Sequence, residues 1–206
     1  LFGWRTSLVW PTEPRGVIIV YPHTSNWDFV IGMLFKIGHG LPANWLGKDS
    51  MFPWPFRGLL ERLGGVPVNR RAATGFIDRL VAEFRKRDWM WLAIAPEGTR
   101  SHTDYLKSGV YLVALAADVP VGLGYIDYGT RTVGIDTYLR FTSDRERDLA
   151  SLRDFYGTKR ALRPEVCGEL IGAFRQPVLV ERFLPGREHN VGLVGNGQRV
   201  RVVGVM

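Results

Sequence analysis

Runs of consecutive apolar residues alternate along the chain with segments whose apolar residues recur every three or four positions. The runs at residues 16–21, 90–95 and 121–126 are typical of strands buried inside a parallel sheet. The periodic segments at residues 74–87 and 110–117 predict helices between those strands. Strand, helix, strand and helix in this order predict an α/β fold, with a mainly parallel sheet sandwiched by helices.

Smaller elements complete the predicted sheet. Residues 45–48 predict a short strand, and residues 132–136 and 138–142 predict a terminal hairpin. We expect Thr74 to cap the helix that runs to about Arg87, and a charged helix over residues 144–156 that ends at Gly157.

Four residues separate His23 from Asp28. His23 lies on the loop after the first buried strand, and Asp28 falls in the first turn of a helix that should begin near Asn26. Open α/β sheets bind ligands at the carboxyl ends of their strands, which is where this loop lies. An imidazole held by a carboxylate can take a proton from a hydroxyl, which contributes roughly 10²–10⁴-fold to a rate. The structural alternative is that Ser25 or Asn26 caps the helix and Asp28 is a carboxylate favoured by the helix dipole.

Polar clusters also follow other predicted strands. The sequence Pro-Glu-Gly-Thr-Arg-Ser at residues 96–101 comes directly after a buried strand, and its turn can present backbone N–H groups to an anion while Arg100 binds a phosphate. Residues 64–71 predict a turn and a further short strand that ends at Arg70, and residues 119–121 shape the start of the strand that follows the helix at residues 110–117. Each cluster alone fits a turn or a solubilising arginine. Taken together at strand ends, they favour a functional role, and we expect the guanidinium groups of Arg70 and Arg100 to meet His23 at one edge of the sheet.

The charge of the chain favours an anionic partner. The formal net charge is +7 and the pI is about 9.9, which suits anionic lipid, a phosphorylated substrate or nucleic acid. No recognition-motif spacing supports nucleic acid. The single cysteine, Cys167, excludes an internal disulfide and a cysteine-based metal site. No apolar run approaches the ~18 residues that span a bilayer, and an anchor upstream of Leu1 stays open.

Four blocks of the sequence, in the order in which they occur along the chain, resemble the glycerolipid acyltransferase family. Enzymes of this family, such as 1-acyl-glycerol-3-phosphate acyltransferase, acylate glycerol-3-phosphate or lysophosphatidic acid. The blocks are His23-x4-Asp28, Gly-Gly-Val-Pro-Val-Asn-Arg at residues 64–70, the block at residues 96–101 and residues 119–121. The resemblance covers residues 15–164, so we expect an acyltransferase domain at residues 1–164. It implies the fold of glycerol-3-phosphate acyltransferase and a place in phospholipid biosynthesis.

The resemblance implies that His23 is the general base toward an acceptor hydroxyl, which attacks the thioester of acyl-CoA or of an acyl-carrier protein. Asp28 would fix the imidazole tautomer and stabilise the imidazolium. Transfer would be direct, without an acyl-enzyme, a cofactor or a metal. The phosphate and glycerol backbone of the acceptor would be bound by the residues Asn69, Arg70, Glu97, Gly98, Thr99 and Arg100.

The chain departs from the family pattern at Pro22, where many members have asparagine before the histidine. The sequence His-Thr-Ser-Asn-Trp-Asp in the first block resembles that of a subgroup of short bacterial members of the family. Lysophosphatidic acid is therefore the default acceptor rather than a deduced one. The expected location is peripheral, on the cytoplasmic face of the inner or plasma membrane.

Residues 51–63 are dense in aromatic residues and arginine. One interpretation is a short helix whose core-facing residues are Phe56, Leu59, Leu60 and Leu63. The other is an apolar lip that receives an acyl chain or rests at a lipid headgroup layer.

The composition changes after Pro164, and residues 165–206 resemble a fragment of D-alanine–D-alanine ligase and related ATP-grasp enzymes. In that family the Glu181 region lies on adenine and the Glu188 position lies on the ribose hydroxyls. The rest of an ATP-grasp site has no counterpart here, so we expect no ATP binding by this extension alone. The structural alternative is a β-hairpin with a Gly-Asn-Gly turn.

Two functions from other classes stay open. The chain could be a non-catalytic module that binds lipid or anions, although such a module has no need of a base. It could also be part of a fused ATP-grasp ligase.

Overall fold

Seven strands form one sheet in the computed structural model, which describes residues 3–68, 75–96, 109–163, 191–194 and 201–205. The strands are β1 (Arg5–Leu8), β2 (Arg15–Val20), β3 (Ala43–Lys48), β4 (Gly65–Val68), β5 (Met90–Ile94), β6 (Val121–Asp127) and β7 (Thr132–Leu139). The helices are α1 (Asn26–Gly38), α2 (Arg57–Arg62), α3 (Phe76–Lys86), α4 (Gly109–Ala117) and α5 (Arg145–Tyr156), with a 3₁₀ turn at Asp49–Met51.

The strand order is β1-β7-β6-β2-β5-β3-β4. The five strands from β6 to β4 run parallel to one another, whereas β7 is antiparallel to β6 and carries β1 parallel to itself at the outer edge. The predicted α/β architecture with a mainly parallel sheet is therefore confirmed.

Parallel pairing decides which loops share an edge. Because β2 runs parallel to both β5 and β6, the loop that carries His23 lies at the carboxyl edge, together with the ends of β4 and β5. Residues 119–121 are different, because Val121 begins β6 and pairs with Val17 near the start of β2. Residues 119–121 therefore shape the start of a strand, as predicted, and lie at the opposite edge from His23.

Helices cover both faces of the sheet, which explains why the central strands are apolar on both sides. On one face α3, α4 and α5 pack on the sheet through Phe84, Val113 and Leu152. On the other face Phe35 of α1 packs on the sheet in a smaller cluster that includes Trp91. The predicted apolar face of α3 is buried as expected, through Leu80, Val81 and Phe84.

Three local predictions are corrected. The hairpin at residues 132–142 is wrong, because β7 is one continuous strand that pairs with β6 instead. The turn falls earlier, where Asp127 accepts hydrogen bonds from the backbone N–H of Gly129 and the hydroxyl of Thr130. The cap of α3 is Gly75 rather than Thr74. Phe56 is 59% exposed and Leu59 is also exposed, so the core-facing interpretation of α2 is wrong for both.

The chain divides into two compact units, Leu1–Gln176 and Pro177–Met206, each described by itself. In the second unit β8 (Val191–Val194) and β9 (Arg201–Val205) pair antiparallel, as the β-hairpin alternative predicts, and residues 195–200 lie outside the described residues. The assignment of domains at residues 1–164 and 165–206 stays a prediction. In the part of the chain that the structure describes, every helix is too short or too polar to cross a bilayer.

Gly16 tests the packing of the central strands. A Cβ added there would lie 2.2 Å from the ring of Trp91, which is fully buried and whose Nε1 donates to the carbonyl of Glu13 at 3.0 Å. Because the indole is held in place, we expect Gly16→Ala to lower the free energy of unfolding by about 3 kcal/mol. Urea unfolding measures the change.

The matched control is Gly58→Ala. Gly58 lies in α2 with no atom within 4 Å of an added Cβ, so we expect a gain of roughly 0.5–1 kcal/mol from the higher helix propensity of alanine. Equal effects of the two substitutions would contradict the packing described for β2 and β5.

Candidate active site

The loop from Tyr21 to Ser25 joins β2 to α1, and its conformation is fixed by the start of that helix. Ser25 has the extended backbone of an N-cap residue, with φ −141° and ψ 156°, and its Oγ accepts from the N–H of Trp27 at 3.2 Å. Asp28, three residues later, accepts from the N–H of Ser25 at 2.7 Å. This is a capping box, so the alternative that Ser25 caps the helix is correct.

The same carboxylate also contacts His23. Its Oδ2 lies 3.5 Å from His23 Nδ1 and accepts from the N–H of Thr24 at 2.8 Å. The separation is longer than a good hydrogen bond, although such bonds are often long before substrate binds. The capping interpretation and the His/Asp interpretation are therefore compatible, because the side chain of Asp28 both caps the helix and contacts His23.

The side chains of His23 and Asp28 differ in how far they are exposed to solvent. The Asp28 side chain is 1% exposed, whereas His23 keeps 16% of its side chain exposed. His23 Nδ1 is itself buried, so the exposed part of the ring lies away from the carboxylate. A buried carboxylate is costly without compensation, and here backbone N–H groups and the amino end of α1 supply it.

Tyr128 is a member of the site that sequence reasoning missed. Its hydroxyl donates to the Oδ1 atom of Asp28 at 2.6 Å, across 100 positions of sequence. Burial, followed by the hydrogen bond and the negative charge of Asp28, raises the pKa of Tyr128 far above its ordinary value. Tyr128 directly follows β6, and its place at the His23 edge depends on strand order, which no local pattern reveals.

A cavity of about 150 Å³ opens beside His23, between α1 and the sheet. Its walls are mostly apolar and include Phe29, Met33, Phe35, Trp45, Ala93 and Ile135. The ionisable side chains among its lining residues are His23, Asp28, Lys36 and Tyr125. Burial lowers the pKa of Lys36. The imidazole of His23 thus lies beside a mostly apolar cavity.

The other predicted site residues lie outside the described residues. These are Asn69, Arg70, Glu97, Gly98, Thr99 and Arg100. The strands that precede them, β4 and β5, end at the same edge as β2. Their roles stay predictions.

The fold and the described residues of the site define an α/β protein in which an imidazole on the loop after a central strand contacts a buried carboxylate in the first turn of the next helix. A sequence model of the family described as Acyltransferase matches residues 11–122, more than half of the chain. The chain belongs to this acyltransferase family.

A solved structure gives independent support for the fold. The 1-acyl-sn-glycerophosphate (LPA) acyltransferase PlsC from Thermotoga maritima is 15% identical, with a TM-score of 0.50, over 77% of this chain and 74% of that one. At this identity the likeness establishes the fold alone. No curated protein gives a significant match. The ATP-grasp resemblance of residues 165–206 finds no support in these comparisons.

Two substitutions compare how much Ser25 and Asp28 each contribute to the stability of the fold. Ser25→Ala removes one capping hydrogen bond, and we expect it to lower the free energy of unfolding by about 1 kcal/mol. Asp28→Ala leaves the Tyr128 hydroxyl and two backbone N–H groups without their acceptor, so we expect a loss of about 3 kcal/mol. Chemical denaturation compares the two variants. A Ser25→Ala loss as large as that of Asp28→Ala would contradict the central place given to the carboxylate.

Proposed function

We propose that the chain is an O-acyltransferase that moves a fatty acyl group from acyl-CoA or acyl-carrier protein to a hydroxyl of a lysophospholipid-type acceptor, such as 1-acyl-glycerol-3-phosphate. Family membership supports acyl transfer. The observation that carries the proposal is the contact between His23 and a buried Asp28 beside an apolar cavity. The acceptor class rests on the resemblance of the sequence blocks and on the substrate named for PlsC.

In this mechanism His23 is the base. The carboxylate beside Nδ1 favours the tautomer with its proton on that atom, which leaves Nε2 to accept. Nε2 takes the proton of the acceptor hydroxyl as its oxygen attacks the thioester carbonyl. When the tetrahedral intermediate collapses, the C–S bond breaks and the thiolate takes the proton from the imidazolium. The products are an ester and a free thiol, and no acyl-enzyme forms.

The cavity suits the acyl chain of the thioester. Its lining is mostly apolar, and the polar residues in it are His23, Asp28, Lys36, Asn44 and Tyr125. Transferring an alkyl chain into such a site stabilises the complex by about 0.8 kcal/mol per buried CH₂ group. A chain bound there would place its carbonyl carbon near the imidazole.

The acceptor phosphate would bind at the same edge of the sheet. Arg70 and Arg100 offer guanidinium groups that bind phosphate bidentately, with Asn69, Glu97, Gly98 and Thr99 around the glycerol backbone. The support is that β4 and β5 end at the same edge of the sheet as β2, which precedes the loop that carries His23. The proposed reaction needs no cofactor and no metal.

The His23→Ala variant tests the proposal. Removing the base should lower acyl transfer by 10²-fold or more without unfolding the chain, since no capping bond involves the imidazole. Thiol release from acyl-CoA, with and without lysophosphatidic acid, measures turnover. His39→Ala is the control, because His39 lies at the other end of α1, where it packs on Phe35.

Near-normal turnover of His23→Ala would end the assignment. Binding of acyl-CoA without any thiol release by the native chain would favour the second candidate function, a non-catalytic lipid- or anion-binding module. A specific observation favours lipid contact in either case, namely the exposed apolar surface around α2.

We define the α2 patch as Trp54, Phe56 and Leu59, with the cations Lys48, Arg57 and Arg62. Trp54 is 91% exposed, and the segment leaves the sheet at the carboxyl end of β3, which is the His23 edge. Exposed aromatic residues among cations fit an anionic lipid surface. We therefore propose peripheral attachment to the cytoplasmic face of the membrane through this patch, which would present the site to a lipid acceptor.

The double variant Trp54→Ser with Leu59→Ser tests the patch. We expect it to weaken binding to vesicles that contain phosphatidylglycerol by tenfold or more, because two large apolar side chains no longer enter the interface. Cosedimentation measures the affinity. The control is Trp89→Ser, since Trp89 is also exposed but precedes β5 at the opposite edge. A loss as large in the control would contradict the assigned surface.

A further inference from the structure

The backbone around Tyr128 is held rigidly at the end of β6. Asp127 is buried, and its Oδ1 accepts from the N–H groups of Gly129 at 2.9 Å and Arg160 at 3.2 Å. Its Oδ2 accepts from the Thr130 hydroxyl at 2.7 Å. The N–H of Tyr128 donates to the carbonyl of Arg160 at 2.9 Å. The position of the Tyr128 side chain is therefore set before any substrate binds.

The ring of Tyr128 is also fixed. Trp4 packs on it edge to face, with ring centroids 5.0 Å apart, a geometry that aromatic pairs favour. With backbone and ring both held, the hydroxyl points at Asp28 Oδ1, 2.6 Å away. A bond this short to a carboxylate is a strong, charge-assisted one.

The two oxygens of Asp28 consequently have different surroundings. Oδ2 accepts the N–H groups of Thr24 and Ser25 and faces His23, whereas Oδ1 accepts the phenol. Hydrogen bonds to the charged form of a carboxylate stabilise that form. The phenol therefore fixes one oxygen of the carboxylate, and the other oxygen faces the imidazole of His23.

We propose that Tyr128 is a positioning residue for the general base: its hydrogen bond to Asp28 Oδ1 holds the carboxylate in the orientation in which Oδ2 faces His23 Nδ1 during transfer. The inference rests on the proposed function and deepens it, since Tyr128 acts through Asp28 and need not touch substrate. Among the described residues, the titratable groups near His23 include Asp28, which contacts it, and Tyr128, which is hydrogen-bonded to Asp28. They also include Lys36 and Tyr125, which line the same cavity.

Tyr128→Phe is the main test, because it removes the hydroxyl and keeps the ring. We expect kcat to fall about tenfold, a part of the contribution of a general base, with both KM values within twofold of native. Without the hydroxyl, more of the negative charge of Asp28 faces the imidazole, so the acidic limb of the kcat/KM profile should move to higher pH.

The matched control is Tyr111→Phe. Tyr111 also donates to a buried aspartate, Asp148, at 3.0 Å, but it belongs to the core on the other face of the sheet. Loss of its hydroxyl should lower stability and leave both kcat and the pH profile unchanged. An equal fall of kcat in the two variants would reduce Tyr128 to a structural role and overturn the proposal.

Site-specific 3-fluorotyrosine at position 128 keeps the proposal testable if Tyr128→Phe does not fold. The fluorine makes the phenol a stronger donor at almost unchanged volume, so the acidic limb should move to lower pH, opposite to Tyr128→Phe. An unmoved limb in the fluorinated protein would refute the inference. If His23→Ala is inactive while Tyr128→Phe has native kcat, only this inference fails; if the native chain releases no thiol, the proposed function fails first.

Discussion

The buried carboxylate of Asp28 is the interaction on which the site depends. It closes the capping box of α1, contacts the imidazole of His23 and accepts the hydroxyl of Tyr128. These partners come from a helix start, a loop and a distant strand end. A charge removed from water is tolerated only when its oxygens are satisfied, so the carboxylate fixes all three elements relative to one another.

Parallel strand order brings those elements together. The strands β2, β5 and β6 run side by side in one direction, so the segments that follow them emerge at one edge. One of those segments carries His23, and another carries Tyr128. The apolar cavity lies under α1 at the same place. A sheet of this kind therefore brings a polar pair, on the segment after β2 and the start of α1, next to an apolar cavity.

Much of this was predictable because it is local. The apolar runs and the cap signals around residue 25 place β2, α1 and the His/Asp pair from neighbouring residues alone. What failed depends on distant partners. Tyr128 is recruited across 100 positions, and β7 continues through the predicted hairpin because β6 pairs along its length. The helical spacing of apolar residues in α2 predicts that Phe56 faces the core, but this spacing does not show whether another part of the protein covers that face.

The spacing of the histidine and the aspartate follows from helix capping. In a capping box the side chain of the third helical residue reaches back to the N-cap, which here joins Asp28 to Ser25. His23 stands two residues before that cap, where the chain has just left β2. A carboxylate one position later would point away from the cap by about 100°, since an α-helix has 3.6 residues per turn. Four intervening residues are therefore the separation at which one carboxylate can close the helix and face an imidazole on the preceding loop.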